Sequence, residues 1–176
     1  MNEQRLLALI PAKAASNRLK RKNALELGGE PLVSRAVRCA QEAGIFSNIV
    51  VSTEDAEIAE LARKAGASVP FMRPRELSVD PAGVVEVTLH ALDEMEHQGE
   101  IYQAVVILLP TAPFRIPADI IEALRIYNKL EVHFLMSVSS YEHTPLAALI
   151  LEDGFLKPLL PEILTKTGAK VEASTP

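Results

Sequence analysis

Three short apolar runs, separated by segments of helical period, restrict this chain to a small set of folds. They are Leu-Leu-Ala-Leu-Ile over 6–10, Asn-Ile-Val-Val-Ser at Asn48–Ser52 and Val-Val-Ile-Leu-Leu over 105–109. Runs this short and continuous read as strands buried on both faces, as in a parallel sheet. Between them, a helix is expected over 31–43, with Leu32, Ala36, Cys39, Ala40 and Ala43 on one side and Gly44 as its C-cap. A second is expected over 54–65, capped by Thr53 and stopped by Gly66, and a third over 84–98, with Val85, Thr88, Leu92 and Met95 at helical spacing. A helix over 118–128 has Asp119 in its first turn, and a further strand is expected over 134–138. This β-α-β-α-β alternation predicts an α/β fold with a doubly wound, mostly parallel sheet and helices on both faces. The pattern then changes, and 147–156, around Asp153-Gly154, reads as a small C-terminal hairpin extension. Residues 1–165 are expected to form a single domain and 166–176 a disordered tail.

Composition removes several classes of function. The 176 residues suffice for one full core, and 48% apolar content argues against wholesale disorder. No apolar run reaches the roughly 18–20 residues of a membrane helix, so no membrane partner is expected. Met1-Asn2-Glu3-Gln4-Arg5 lacks the layout of a secretion signal, and a cytoplasmic location is expected. The only cysteine, Cys39, reads as a small core residue, and no Cys/His spacing suggests zinc. His90 and His97 share one face of a helix and read as surface or boundary residues.

The charge is −5 overall, yet five of the eighteen Lys and Arg residues fall within 13–22, with no acidic residue among them. This basic loop leaves the C-terminal end of the first strand, where α/β sheets bind phosphates. A local cluster, with no aromatic track beside it, points to a small anion and not to nucleic acid. Neither Gly-x-Gly-x-x-Gly nor Gly-x-x-x-x-Gly-Lys-Ser/Thr is present. Ala14, Ala15 and Ser16 occupy the turn, so phosphate ligands would be backbone N–H groups and Ser16, aided by lysine and arginine. Nucleotidyl transfer requires such fixed cations, because charge grows on the leaving pyrophosphate. The plainer alternative is a solvated basic loop near a sheet edge.

Four segments, in order, resemble the cytidylyltransferases that activate nine- and eight-carbon sugar acids, especially CMP-N-acylneuraminate synthetases. Ile10-Pro11-Ala12-Lys13 through Lys22-Asn23 is similar to the nucleotide-binding signature of that family. Val50-Val51-Ser52-Thr53 with Glu57-Ile58-Ala59 is similar to its second strand and helix. Pro70-Phe71-Met72-Arg73-Pro74-Arg75-Glu76-Leu77 with Asp80 is similar to its arginine-bearing loop, and Leu109-Pro110-Thr111-Ala112-Pro113-Phe114-Arg115 to its Gln-Pro-Thr-Ser-Pro-Leu-Arg turn. The resemblance implies a Rossmann-like nucleotidyltransferase fold and a reaction of CTP with an acidic sugar, giving a CMP-sugar and pyrophosphate with Mg²⁺. It implies nucleotide contacts from Ala12, Lys13, Ser16, Arg18, Lys22, Asn23, Arg73 and Thr111, with Lys13 and Lys22 as catalytic cations. It also implies sugar-acid contacts from Arg115 and His143, and a homodimer. Arg115 and His143 each keep a structural alternative.

The chain also departs from that pattern. Lys13 replaces an arginine, which exchanges a two-pronged donor for a point charge. Gly83 stands where a serine is usual and Leu109 where a glutamine is usual, so two hydrogen-bonding groups are missing. An Asn-Gly strand and a metal-holding Asp-x-Asp pair, implied by the resemblance, do not occur in these 176 residues, and no metal ligands are named. Truncation, a degenerate copy, or a fold kept for binding or assembly would each explain this, and each leads to an expectation of weak or absent turnover. A related reaction with UTP or another sugar also stays open.

Overall fold

A computed structural model of the protein describes residues 4–16, 19–140, 148–152 and 154–160. They fall in two units, Met1–His133 and Phe134–Pro176, where the sequence suggests one domain over 1–165.

In the first unit the chain runs through β1 (Leu6–Pro11), a short hairpin of β2 (Glu26–Leu27) and β3 (Glu30–Pro31), and α1 (Leu32–Ala43). It continues through β4 (Asn48–Ser52), α2 (Ala56–Lys64), α3 (Val84–His97), β5 (Ala104–Ile107) and α4 (Pro117–Leu130). The central sheet has the order β4-β1-β5, all parallel. β1 is the middle strand, with Leu7 opposite Asn48 on one side and Leu6 opposite Ala104 on the other. That position explains its composition, since each residue from Leu6 to Ile10 is at most 2% exposed. Ala8 and Ile10 face a core built with α1, Ile58 and Ala62 of α2, and Ile120 of α4. Leu7 and Leu9 face the opposite layer, against Ala91 and Met95 of α3. Alternate residues of one strand thus serve two helical layers, as a doubly wound sheet requires.

Several expectations shift in detail. The cap of α2 is Asp55, not Thr53. Its carboxylate accepts from the N–H groups of Glu57 and Ile58, both at 3.0 Å, while the Thr53 hydroxyl accepts from the Asp55 N–H at 3.1 Å. The buried face of α3 is Val87, Thr88, Ala91 and Met95, whereas Val85 is 66% exposed, because the helix is rotated relative to the stripe read from sequence. β5 begins one residue earlier than expected and ends at Ile107, although the Leu108 N–H still reaches the Leu9 carbonyl at 2.9 Å.

In the second unit, β6 (Leu149–Glu152) and β7 (Phe155–Pro158) form the expected antiparallel hairpin. The strand expected over 134–138 is not formed. Phe134, Met136 and Val138 are exposed, and no strand pairs with them among the described residues. A short apolar run becomes a strand only when a ladder partner satisfies it.

Candidate functional site

β1 is also where the strand order reverses, since the chain crosses to β4 on one side and later returns to β5 on the other. A crevice is expected at the carboxyl ends of strands at such a point. A cleft of about 250 Å³ lies there, between the residues following β1 and those following β5, with the start of α3 closing it.

The basic loop is shaped by its own hydrogen bonds. Ala12 donates its N–H to the Ser52 carbonyl at 2.9 Å, which extends the sheet by one rung, and its methyl group is fully buried. Ala12 therefore belongs to the core and does not line the cleft, contrary to the sequence expectation. The next residue, Lys13, does line it. Its carbonyl accepts from Nδ2 of Asn23 at 2.8 Å, which ties the two ends of the loop together. A carbonyl only accepts, so this contact sets the orientation of the Asn23 amide. Among the described residues, the Asn23 Oδ1 is left buried and without a partner in a residue that lines the cleft. Ser16, Lys22 and Thr111 also line it. Among the described residues, neither Lys13 nor Lys22 has a carboxylate within 4.0 Å.

Arg73 reaches the same cleft in a different electrostatic state. It is 4% exposed, its N–H donates to the Thr53 carbonyl at 2.9 Å, and its Nη2 donates to Glu54 Oε2 at 2.8 Å. Its Nε is buried and has no partner among the described residues. The other oxygen of Glu54 accepts the Ala14 N–H at 2.8 Å. Burial pushes the Glu54 carboxyl up, but the Arg73 guanidinium and the backbone N–H groups outweigh it, so its pKa lies below the ordinary value of 4.5. Farther along the loop, Arg21 pairs with Asp55 at 3.2 Å and Glu57 at 2.6 Å. Arg21 adopts a left-handed φ of 52°.

The start of α3 supplies Ala82, Gly83, Val84 and Val87 to the wall, and the positive end of the helix dipole opens on the cleft. The Gly83 N–H is taken by Glu86 Oε2 at 2.8 Å. Leu77 and Leu109 add apolar surface. The cleft thus offers two lysine cations, a hydroxyl at each side and an apolar wall, with the Asn23 Oδ1 buried behind its lining. That set suits an anion joined to a flat or ring-shaped organic group.

Two expected residues lie outside the described ones, namely Arg18 and His143. Arg115 is placed away from the cleft. Its Nη2 donates to the Leu109 carbonyl at 3.3 Å, and its own carbonyl accepts from the Cys39 thiol at 3.4 Å, so it fastens the turn after β5 onto α1. Cys39 is buried as expected, and that burial pushes its thiol pKa up. Among the described residues, no three His, Cys, Asp or Glu side chains converge as metal ligands. Sequence reasoning missed Glu54. Its only signal is position, as an acid between a buried strand and a helix cap, directly after Thr53.

A family model described as cytidylyltransferase matches residues 7–144. The chain is 36% identical over 141 residues to the CMP-N,N'-diacetyllegionaminic acid synthase of Legionella pneumophila, covering 80% of this chain and 60% of that protein. It is 35% identical over 137 residues to a pseudaminic acid cytidylyltransferase of Campylobacter jejuni, covering 78% and 59%. Over 127 residues it is 35% identical to the N-acylneuraminate cytidylyltransferase of Escherichia coli, covering 72% and 29%. The chain therefore spans about 60% or less of these curated relatives. Among solved structures, a CMP:2-keto-3-deoxy-manno-octonic acid synthetase complexed with CTP matches with a TM-score of 0.61 at 17% identity, covering 72% of this chain and 48% of that one. A cytidylyltransferase from Leptospira borgpetersenii matches with a TM-score of 0.55 at 21% identity, covering 72% and 50%. At those identities the likeness speaks to fold.

Proposed function

Since this chain belongs to the cytidylyltransferase family, matched over residues 7–144, we propose that its cleft binds CTP and serves transfer of CMP to an acidic sugar of the sialic-acid class, releasing pyrophosphate. The observation that carries this reading is the pair Lys13 and Lys22, cations lining a switch-point cleft without carboxylate partners among the described residues. In the proposed reaction a sugar hydroxyl attacks the α-phosphorus and gives up its proton to solvent, while the bond from that phosphorus to the oxygen bridging to the β-phosphate breaks. The electron pair leaves on pyrophosphate, and fixed ammonium groups stabilise that growing charge. We assign Lys13 and Lys22 this role, and Ser16 a hydroxyl contact to the phosphates.

Asn23 has a narrower role. Its unfilled group is an acceptor, so it suits a donor on the nucleoside, a ribose hydroxyl or the cytosine amino group, and not a phosphate. Thr111, on the far wall, suits the ribose or the sugar acid. Gly83 and Leu109 offer no side-chain hydrogen bond to a base, which keeps UTP as a comparison ligand. The names of the relatives support an acidic nine-carbon sugar as acceptor.

Mg²⁺ is a family expectation, but the described residues do not fit it. They hold no convergent set of acidic or imidazole ligands, and the cleft is lined by lysines and an arginine. A binding module without turnover is the second reading, and this donor set is what favours it.

Titration calorimetry with CTP and UTP, alongside a pyrophosphate-release assay with sialic-acid-type sugars, tests both readings. CTP binding with product formation supports the first, binding without turnover the second, and no binding of CTP contradicts both. A homodimer is part of the proposal, supported by the apolar hairpin of β6 and β7, where Leu149, Leu151, Phe155 and Leu156 are exposed. Sedimentation velocity tests it. A cytoplasmic location also belongs to the proposal, supported by the use of CTP as substrate.

A further inference from the structure

Glu54 is the only carboxylate bonded both to the basic loop and to the buried arginine of the cleft, among the described residues. One oxygen holds the Ala14 N–H at 2.8 Å and the other holds Arg73 Nη2 at 2.8 Å. Its side chain is 12% exposed and that of Arg73 is 2% exposed, so little water competes for either contact. A carboxylate is a poor neighbour for a triphosphate, and Glu54 is not needed to hold the sheet, since β4 ends at Ser52, whose carbonyl takes the Ala12 N–H. Its contacts are instead with the two structures that must be placed for a phosphate to bind.

We propose that Glu54 is a positioning residue for the nucleotide site, bracing the loop after β1 and Arg73 as one unit. This rests on, and deepens, the reading of the cleft as a CTP site. Two consequences follow from the geometry. The Ala14 N–H is committed to Glu54, so backbone donors to phosphate come from later in the turn. Arg73 is already compensated, so its net charge is largely spent, and among the described residues the uncompensated cations of the cleft are Lys13 and Lys22. The Arg21 contacts to Asp55 and Glu57 hold the far limb of the loop to the same region of the chain, the start of α2.

The test compares Glu54→Gln and Glu54→Ala with the unaltered chain, using calorimetry with CTP and with CMP. Gln keeps an acceptor for Ala14 but loses the charge facing Arg73; Ala loses both. The expected result is a graded loss, with Ala weakening CTP by about tenfold or more and Gln by less, from the cost of ordering the loop on binding. CMP affinity is expected to fall by a smaller factor, because CMP makes fewer phosphate contacts with the loop. A purely structural role would instead lower the active fraction equally for both ligands. Amide exchange on the unaltered chain gives a second readout independent of how the variants fold, and slow exchange at Ala14 without ligand is expected. Tighter CTP binding in Glu54→Ala would overturn the proposal and make Glu54 a competitor for the phosphate. Unchanged CTP affinity, or fast exchange at Ala14, would also overturn it while leaving the function reading intact. If the unaltered chain binds no CTP, the function reading fails and this inference fails with it.

Discussion

In the proposed site, Lys13 and Lys22 are the cleft cations without a carboxylate partner among the described residues, whereas Arg73 is paired with Glu54. Lys22→Ala is expected to weaken CTP binding by about ten- to a hundredfold, as for loss of a charge-assisted contact to phosphate. The salt dependence of binding should become shallower, which calorimetry at two ionic strengths measures. Glu54 makes a separate, pH-dependent contribution to stability. Its folded pKa is depressed below 4.5, so that contribution is complete above the ordinary value and is lost as pH falls through the depressed one. Thermal melts of the unaltered chain and Glu54→Gln should therefore differ most near neutral pH and converge as the medium is acidified below about 4.5. A gap that stays constant with acidification would contradict the assignment.

Among the secondary elements, the start of α2 has two tasks. Asp55 caps two N–H groups of the helix and also meets Arg21 of the basic loop. Asp55→Ala is expected to cost about 1 kcal/mol from the cap, measurable by urea denaturation. The exposed pair with Arg21 should add little to that. Much of this was legible in sequence. Leu-Leu-Ala-Leu-Ile announces a strand buried on both faces, and Asn48–Ser52 is reproduced residue for residue. The cap was misread because Thr53 and Asp55 are both good cap residues, and only the path of the chain decides between them. The β2–β3 hairpin was overlooked, although Gly28 and Gly29, at φ of 64° and 82°, are the residues a tight two-residue turn demands. The run over 134–138 looks like a strand by composition, but pairing depends on a neighbour that local sequence does not report. In the site, residue types revealed the lysines, while the Glu54 brace and the amide orientation of Asn23 depend on contacts across 40 and 10 positions of chain.

At the scale of the unit Met1–His133, a parallel three-stranded sheet between two helical layers places a cleft at the point where strand order reverses. Because that cleft is lined by cations, CTP binding should persist after divalent metal is removed with EDTA; binding abolished by EDTA and restored by Mg²⁺ would show that a metal completes the site. The most direct measurement of the central claim is an NMR titration of the isotope-labelled chain with CTP, following backbone amides and lysine side chains. The expected result is saturable shifts grouped at Lys13, Ser16, Lys22 and Asn23, at Arg73, at the start of α3 and at Thr111. An absence of shifts there, or shifts confined to other surfaces of the molecule, would contradict a nucleotide site between β1 and β5.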